Sequence, residues 1–187
     1  MKMTLSTIAM LFLVSGAIHA GALGDEKPAP EGSGKSIRAG YFSWTAAERC
    51  KVDCVIAKEV DSGSLLSISF KVCGSNEAKP VDGDSVELGF LGIYTLGDSQ
   101  SDLVTFWNSA TAYRVKIYSY GASKVTKTFD GGGKLMPEII GNQDLYYVLV
   151  TKRIGDQYET EIFKKAPKTS FVKIWKGPLD DRMAHLK

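Results

Sequence analysis

The stretch CKVDCVIAKEV at residues 50–60, followed by LLSISFKVC at residues 65–73, decides the fold. Cys50, Val52, Cys54 and Ile56 alternate with polar or charged neighbours, and Leu66, Ile68, Phe70 and Val72 do the same around Ser67, Ser69 and Lys71. A side-chain period of two is that of a strand with one buried face. Asp61-Ser62-Gly63-Ser64 separates the two runs and supplies turn chemistry, so they predict an antiparallel hairpin. Placing Val52 opposite Val72 and Ile56 opposite Ile68 keeps both apolar sets on one face.

Outward from this hairpin the same grammar recurs. Strand-like runs are expected at Ser85 to Tyr94, Leu103 to Trp107, Tyr113 to Tyr120, Lys124 to Phe129, Tyr146 to Thr151, Tyr158 to Lys164 and Ser170 to Trp175. Asp82-Gly83-Asp84 and Gly131-Gly132-Gly133 read as punctuation between them. No long helical period follows the N-terminal region; Met136 to Ile140 and Asp180 to His185 are each expected to make a turn or two of helix. The ordered part is expected from Ile37 onward. Many short strands with regular turns predict an all-β domain over residues 37–187, a single antiparallel β-sandwich or barrel-like structure.

An internal repeat runs through its second half. Tyr113-Arg114-Val115-Lys116-Ile117-Tyr118 matches Tyr158-Glu159-Thr160-Glu161-Ile162-Phe163, and Lys127-Thr128-Phe129-Asp130-Gly131 matches Lys173-Ile174-Trp175-Lys176-Gly177. The pattern predicts one three-stranded meander used twice, over 103–131 and 148–177.

The N-terminus has a different grammar. Lys2 precedes an apolar run from Ile8 to Val14 and then Ser15, Gly16 and Ala17, the order of a secretory signal peptide. Residues 1–20 are expected to be removed, with cleavage after Ala22 as the alternative. The apolar run is far shorter than the ~20 residues that cross a bilayer, so no stable membrane insertion is expected. Gly21 to Ser36, rich in Gly, Pro, Lys and Glu, is expected to be a flexible lead. The resulting expectation is a periplasmic or secreted protein.

Export sets the terms for the three cysteines, Cys50, Cys54 and Cys73. Cys50 and Cys54 would lie ~13 Å apart along one strand, beyond the reach of a disulfide. The hairpin brings Cys50 beside the Gly74 end of the partner strand, so Cys50–Cys73 is the first expectation and Cys54–Cys73 the second. No metal site and no cofactor are expected.

The chain carries a formal charge of +2, with two histidines, of which only His185 follows the signal segment. So balanced a chain has no general attraction for phosphate backbones, and no nucleic acid is expected as a partner. A histidine three residues from the C-terminus is poorly placed for nucleophilic catalysis. Gly131-Gly132-Gly133-Lys134 lacks the strand–loop–helix setting and terminal hydroxyl residue of a phosphate loop.

Carboxylates remain as candidate catalytic groups: Asp82 with Asp84, Asp98 with Asp102, and Asp180 with Asp181. They read as solvated turn residues, and a carboxylate-dependent enzyme acting on glycans stands as the alternative function, beside an envelope structural protein. The leading expectation is a non-catalytic binding or inhibitory module that recognises a protein or envelope polymer. Aromatic side chains supply much of the binding energy at such surfaces. Tyr118 and Tyr120 are the expected anchors, with Lys116 at the rim, because Val115 and Ile117 occupy the opposite strand face.

Overall fold

Among the described residues, alternating side chains and short turns build twelve strands. The computed structural model describes residues 36–46, 50–59, 65–84, 89–97, 101–141, 145–165 and 170–186, all within the unit Glu31–Lys187. The expected signal segment and the lead as far as residue 35 lie outside the described residues. Ser36 already opens a strand.

The first sheet runs β1 (Ser36–Thr45), β2 (Lys51–Glu59), β3 (Leu65–Val72) and β4 (Lys79–Asp84). The second follows with β5 (Gly89–Leu96), β6 (Asp102–Ser109), β7 (Ala112–Gly121) and β8 (Lys124–Gly133). The third comprises β9 (Glu138–Gly141), β10 (Tyr146–Ile154), β11 (Gln157–Lys165) and β12 (Phe171–Pro178). A 3-10 helix, Leu179–His185, follows β12. Each sheet is an antiparallel meander in which every strand pairs with its sequence neighbour.

The expected all-β antiparallel domain is found, arranged among the described residues as three separate four-stranded sheets, none of them closed into a barrel. The hairpin register is the one read from the sequence, Val52 opposite Val72 and Ile56 opposite Ile68. Three local readings change. Asp82-Gly83-Asp84 belongs to β4, Gly131-Gly132-Gly133 completes β8, and the segment expected as a helical turn forms β9.

The three meanders share a defect as well as an order. In the first sheet Asp82 lies opposite Ile68 and Pro80 opposite Ser69, which leaves Val81 as an extra residue in β4. In the second, Phe129 faces Ile117 and Lys127 faces Tyr118, so Thr128 is extra in β8. In the third, Trp175 faces Ile162 and Lys173 faces Phe163, and Ile174 is extra in β12. A β-bulge thus marks the fourth strand of every sheet at the same point, always beside a fully buried isoleucine of the third strand. The repeated segments of the sequence fall on β6–β8 and β10–β12; the first sheet is a third copy of the plan.

The buried residues explain the order. Ile56, Ile68 and Phe70 share a core with Leu103, Trp107, Tyr118 and Tyr120, so the isoleucine-marked face of the first sheet meets the second. The equivalent face of the second sheet, with Val104, Ile117 and Phe129, meets Tyr146, Val148 and Val150 of the third. On the third sheet that face carries Leu149 and Ile162, joined by Trp175 and by Leu186 beyond the 3-10 helix. His185 stacks on Trp175 with ring centroids 4.5 Å apart. The plan is that of stacked repeats, in which each unit covers its neighbour and the last needs a cap. No helix among the described residues is long and apolar enough to cross a membrane.

Candidate binding site

The middle sheet is covered on both faces, and this decides where the expected site residues go. Tyr118 and Lys116 are fully buried and Tyr120 is nearly so. Alternation does place Tyr118 and Tyr120 opposite Val115 and Ile117, but the face they occupy is the one turned to the first sheet. Tyr118 packs on Phe70 with centroids 5.2 Å apart. The Tyr120 hydroxyl lies 3.4 Å from Cys73 Sγ. The reading of these three as surface contacts is corrected: they are core groups, because a strand with sheets on both sides has no outward face.

Cys73 is bonded to Cys50, with Cα atoms 4.8 Å apart, and Cys54 is the buried free thiol. Burial pushes the Cys54 thiol up to about 12, so it stays protonated at neutral pH.

Lys116 is buried with a partner. Its ammonium donates to Asp82 Oδ2 at 2.8 Å, the Tyr118 hydroxyl donates to the same oxygen at 3.0 Å, and Lys127 donates to Oδ1 at 2.7 Å. Burial alone would raise the Asp82 carboxyl. The bonds from Lys116 and Lys127, with the Lys116 charge and the Tyr118 hydroxyl, outweigh it and hold the group below its ordinary value. That direction is opposite to what a general acid in a glycan hydrolase requires. Asp102, expected in a solvated turn, is also fully buried; it accepts from Ser119 Oγ, from the Tyr146 hydroxyl at 2.8 Å and from Lys165. Asp98 and the Asp84 side chain lie outside the described residues, and Asp180 and Asp181 are exposed in the first turn of the 3-10 helix. Among the described residues no group of three His, Cys, Asp or Glu side chains is placed to hold a metal ion.

The polar chain continues outward from Lys127, which also donates to Asp130 Oδ2 at 2.9 Å. Asp130 in turn receives a two-pronged contact from Arg114, Nε to Oδ1 at 2.5 Å and Nη2 to Oδ2 at 3.0 Å. This ion pair stands in a cleft of about 330 Å³ lined by Ser109, Ala112, Tyr113, Arg114, Asp130, Gly131 and Gly132. The turn that closes one end is pinned twice. Ser109 Oγ donates to the Ala112 carbonyl at 3.3 Å, and Lys134 donates to the Thr111 carbonyl at 3.0 Å. Tyr113 shares a strand face with Val115 and Ile117 but lies at the open end of β7, and it is 37% exposed.

Arg114, Asp130 and Gly132, which share the face of Lys116, escape the sequence reading as a group. The pairing of Arg114 with Gly132, and of Lys116 with Asp130, depends on how β8 runs past β7, which short alternating strands alone do not specify. The two-pronged ion pair then reaches diagonally between those rows. Compared with family models, curated proteins and solved structures, the chain matches none.

Proposed function

We propose that the chain is an exported binding module of the cell envelope, recognising an envelope polymer or protein through the cleft at the end of β7 and β8. The observation that carries this reading is the partly exposed Arg114–Asp130 pair in that cleft, its carboxylate held from the other side by Lys127. A preorganised ion pair costs little further ordering when a partner docks. The inner chain of Lys127, Asp82, Lys116 and Tyr118 fixes the carboxylate from behind. Lys116 and Tyr118 then act as supports for the site and not as its surface. The signal-like order of Lys2, Ile8 to Val14 and Ser15 to Ala17 supports the periplasmic or secreted setting.

Co-sedimentation of the purified, oxidised protein with envelope material from the producing cell tests the reading. Saturable retention is expected, weakened at least tenfold by Arg114→Ala at unchanged melting temperature. Retention that never saturates, or that ignores Arg114, overturns it. Intact mass of the recovered protein checks the export part, and persistence of residues 1–20 would refute it.

A further inference from the structure

Ser109, Ala112, Arg114 and Asp130 share one face of the second sheet with Lys116 and Tyr118, the face turned to the first sheet. Their side chains line the cleft from the same side. Tyr113 and Gly131 alternate to the other face. Gly132 lies opposite Arg114, where a Cβ would come within 3.1 Å of the Tyr113 carbonyl oxygen, so close packing accounts for it. What distinguishes the cleft is the charge around it.

The polar chain that ends there does not balance. Its inner members, Lys116 and Asp82, cancel. Farther out, Asp130 is a single carboxylate between two cations, Arg114 and Lys127. Lys134 adds a further cation at the turn that closes one end, where its ammonium donates to the Thr111 carbonyl at 3.0 Å. Among the described residues of this chain and its turn, four cations therefore stand against two carboxylates, Asp82 and Asp130. The local surplus is as large as the formal +2 of the entire chain. Fields fade over about 8 Å at physiological ionic strength, so a docking group responds to this surplus and not to the near balance of the whole. Burial alone would lower the Lys127 ammonium, but its bonds to Asp82 and Asp130, with their charges, outweigh that and raise it, so it stays charged. The outer cations are also within reach: the side chains of Arg114 and Lys127 are 36% and 31% exposed, and Lys134 is exposed.

Size narrows the partner. A volume of about 330 Å³ falls at the low end of the ~300–1,000 Å³ of small-ligand clefts, room for one charged unit. A protein interface of ordinary size would bury at least ~1,000 Å² around an aromatic anchor, and Tyr118 and Tyr120 on this face are buried in the core. A polymer can engage such a cleft one unit at a time.

From this surplus we infer that the cleft receives one carboxylate- or phosphate-bearing unit of an acidic envelope polymer, drawn by Arg114, Lys127 and Lys134. The ligand class so named rests on the binding reading above.

The test titrates the full processed protein with hexagalacturonate, its fully methyl-esterified form, a six-unit poly(glycerol phosphate) and hexaglutamate, each also used to compete with retained envelope material. At least one of the two polymer anions is expected to bind saturably and to displace that material, and the neutral ester to do neither. Binding should fall at least fivefold from 50 to 500 mM salt. Arg114→Gln should weaken it at least tenfold, and Lys134→Gln at least threefold. Asp130→Asn removes the internal counter-charge and should strengthen it at least threefold, an outcome opposite to that of a site that needs the intact ion pair. Loss of binding in Asp130→Asn at unchanged melting temperature overturns the inference. Where that variant is less stable, the exposed Lys134 decides, and binding indifferent to Lys134→Gln overturns it equally. Ester and acid binding alike, with retention still dependent on Arg114, overturns the anionic assignment and leaves the module. Binding of hexaglutamate alone makes the partner an acidic protein and overturns the polymer. If no envelope material is retained and no probe titrates, both readings fall together.

Discussion

The first and second sheets are joined differently from the second and third. Between the first pair the polar connection is made by side chains: Asp82 takes hydrogen bonds from Lys116, Tyr118 and Lys127 across the boundary. Between the second pair Asp102 plays a comparable part with Tyr146 and Lys165, but backbone bonds are added. The amides of Lys134 and Leu135 both donate to the Thr151 carbonyl, at 2.7 and 3.3 Å. Gly133 is what lets the two backbones approach. The contrast teaches that the first boundary depends on charge, whereas the second is partly continuous with the main chain.

Removing charge from the first boundary should have the largest effect. Lys116 is fully buried against Asp82, and breaking a buried pair by deleting one partner costs about 3–5 kcal/mol. Lys116→Ala should lose that much in urea unfolding. Lys165→Ala should lose less, because Lys165 is partly exposed and Asp102 keeps Ser119 and Tyr146. Equal losses would break the comparison.

Next comes the covalent link that closes the first sheet. Cys50 and Cys73 are separated by 23 residues, and opening a loop of that size should cost about 3 kcal/mol. The double replacement of both cysteines by serine measures it, by the fall in the midpoint of denaturant unfolding at constant slope. The Trp44 to Phe70 core beneath the bridge should then loosen first, seen as faster amide exchange in β2 and β3 than in β10 and β11.

These elements were not equally legible from the sequence. Cys50 to Val72 could be read because its alternation is strict and has one buried face, and the register follows from keeping Val52, Ile56, Ile68 and Val72 together. The middle sheet misled because alternation tells which side chains share a face but not whether a second sheet covers the other face. On that ground alternation alone reads Tyr118 and Tyr120 as outward. β4 was missed for a related reason: Lys79–Asp84 contains Pro80, Asp82, Gly83 and Asp84, which read as a turn. Its place is an edge, where proline is tolerated and the bulge at Val81 interrupts the ladder. Nothing local marks Asp82 as the partner of a lysine 34 positions away.

The glycine run sharpens the second boundary. Gly133→Ala places a methyl against the Thr151 backbone and should cost at least ~1–3 kcal/mol as an overpacked site. Gly132→Ala, one residue away and exposed, places its methyl 3.1 Å from the Tyr113 carbonyl oxygen and should cost less, about 1 kcal/mol or below. Thermal unfolding of the two variants side by side checks the difference. Similar losses would mean that the exposed glycine is packed as tightly as the one between the sheets.

The smallest effect at neutral pH concerns acid. Asp82 has a folded-state carboxyl below the unfolded value of ~3.9, so the unfolded chain binds its proton at higher pH than the folded chain does. Its contribution is therefore fully present above ~4 and declines as pH falls through the folded value. Near pH 7 a change of one pH unit should leave stability unaltered by this group. Below ~4, protonation of Asp82 leaves Lys116 buried without a counter-charge at the first boundary. The second boundary keeps the Lys134 and Leu135 amide bonds to Thr151, which do not titrate. Glu161 on the third sheet, held low by Lys152 and Lys173 against its own burial, also weakens in acid, but both of its lysines are substantially exposed, so those charges remain solvated when the pair is lost. Hydrogen exchange along an acid series should accordingly show β2 and β3 losing protection at a higher pH than β10 and β11. A simultaneous loss in all four strands would place the acid-sensitive group elsewhere and reduce the difference between the two boundaries to one of geometry alone.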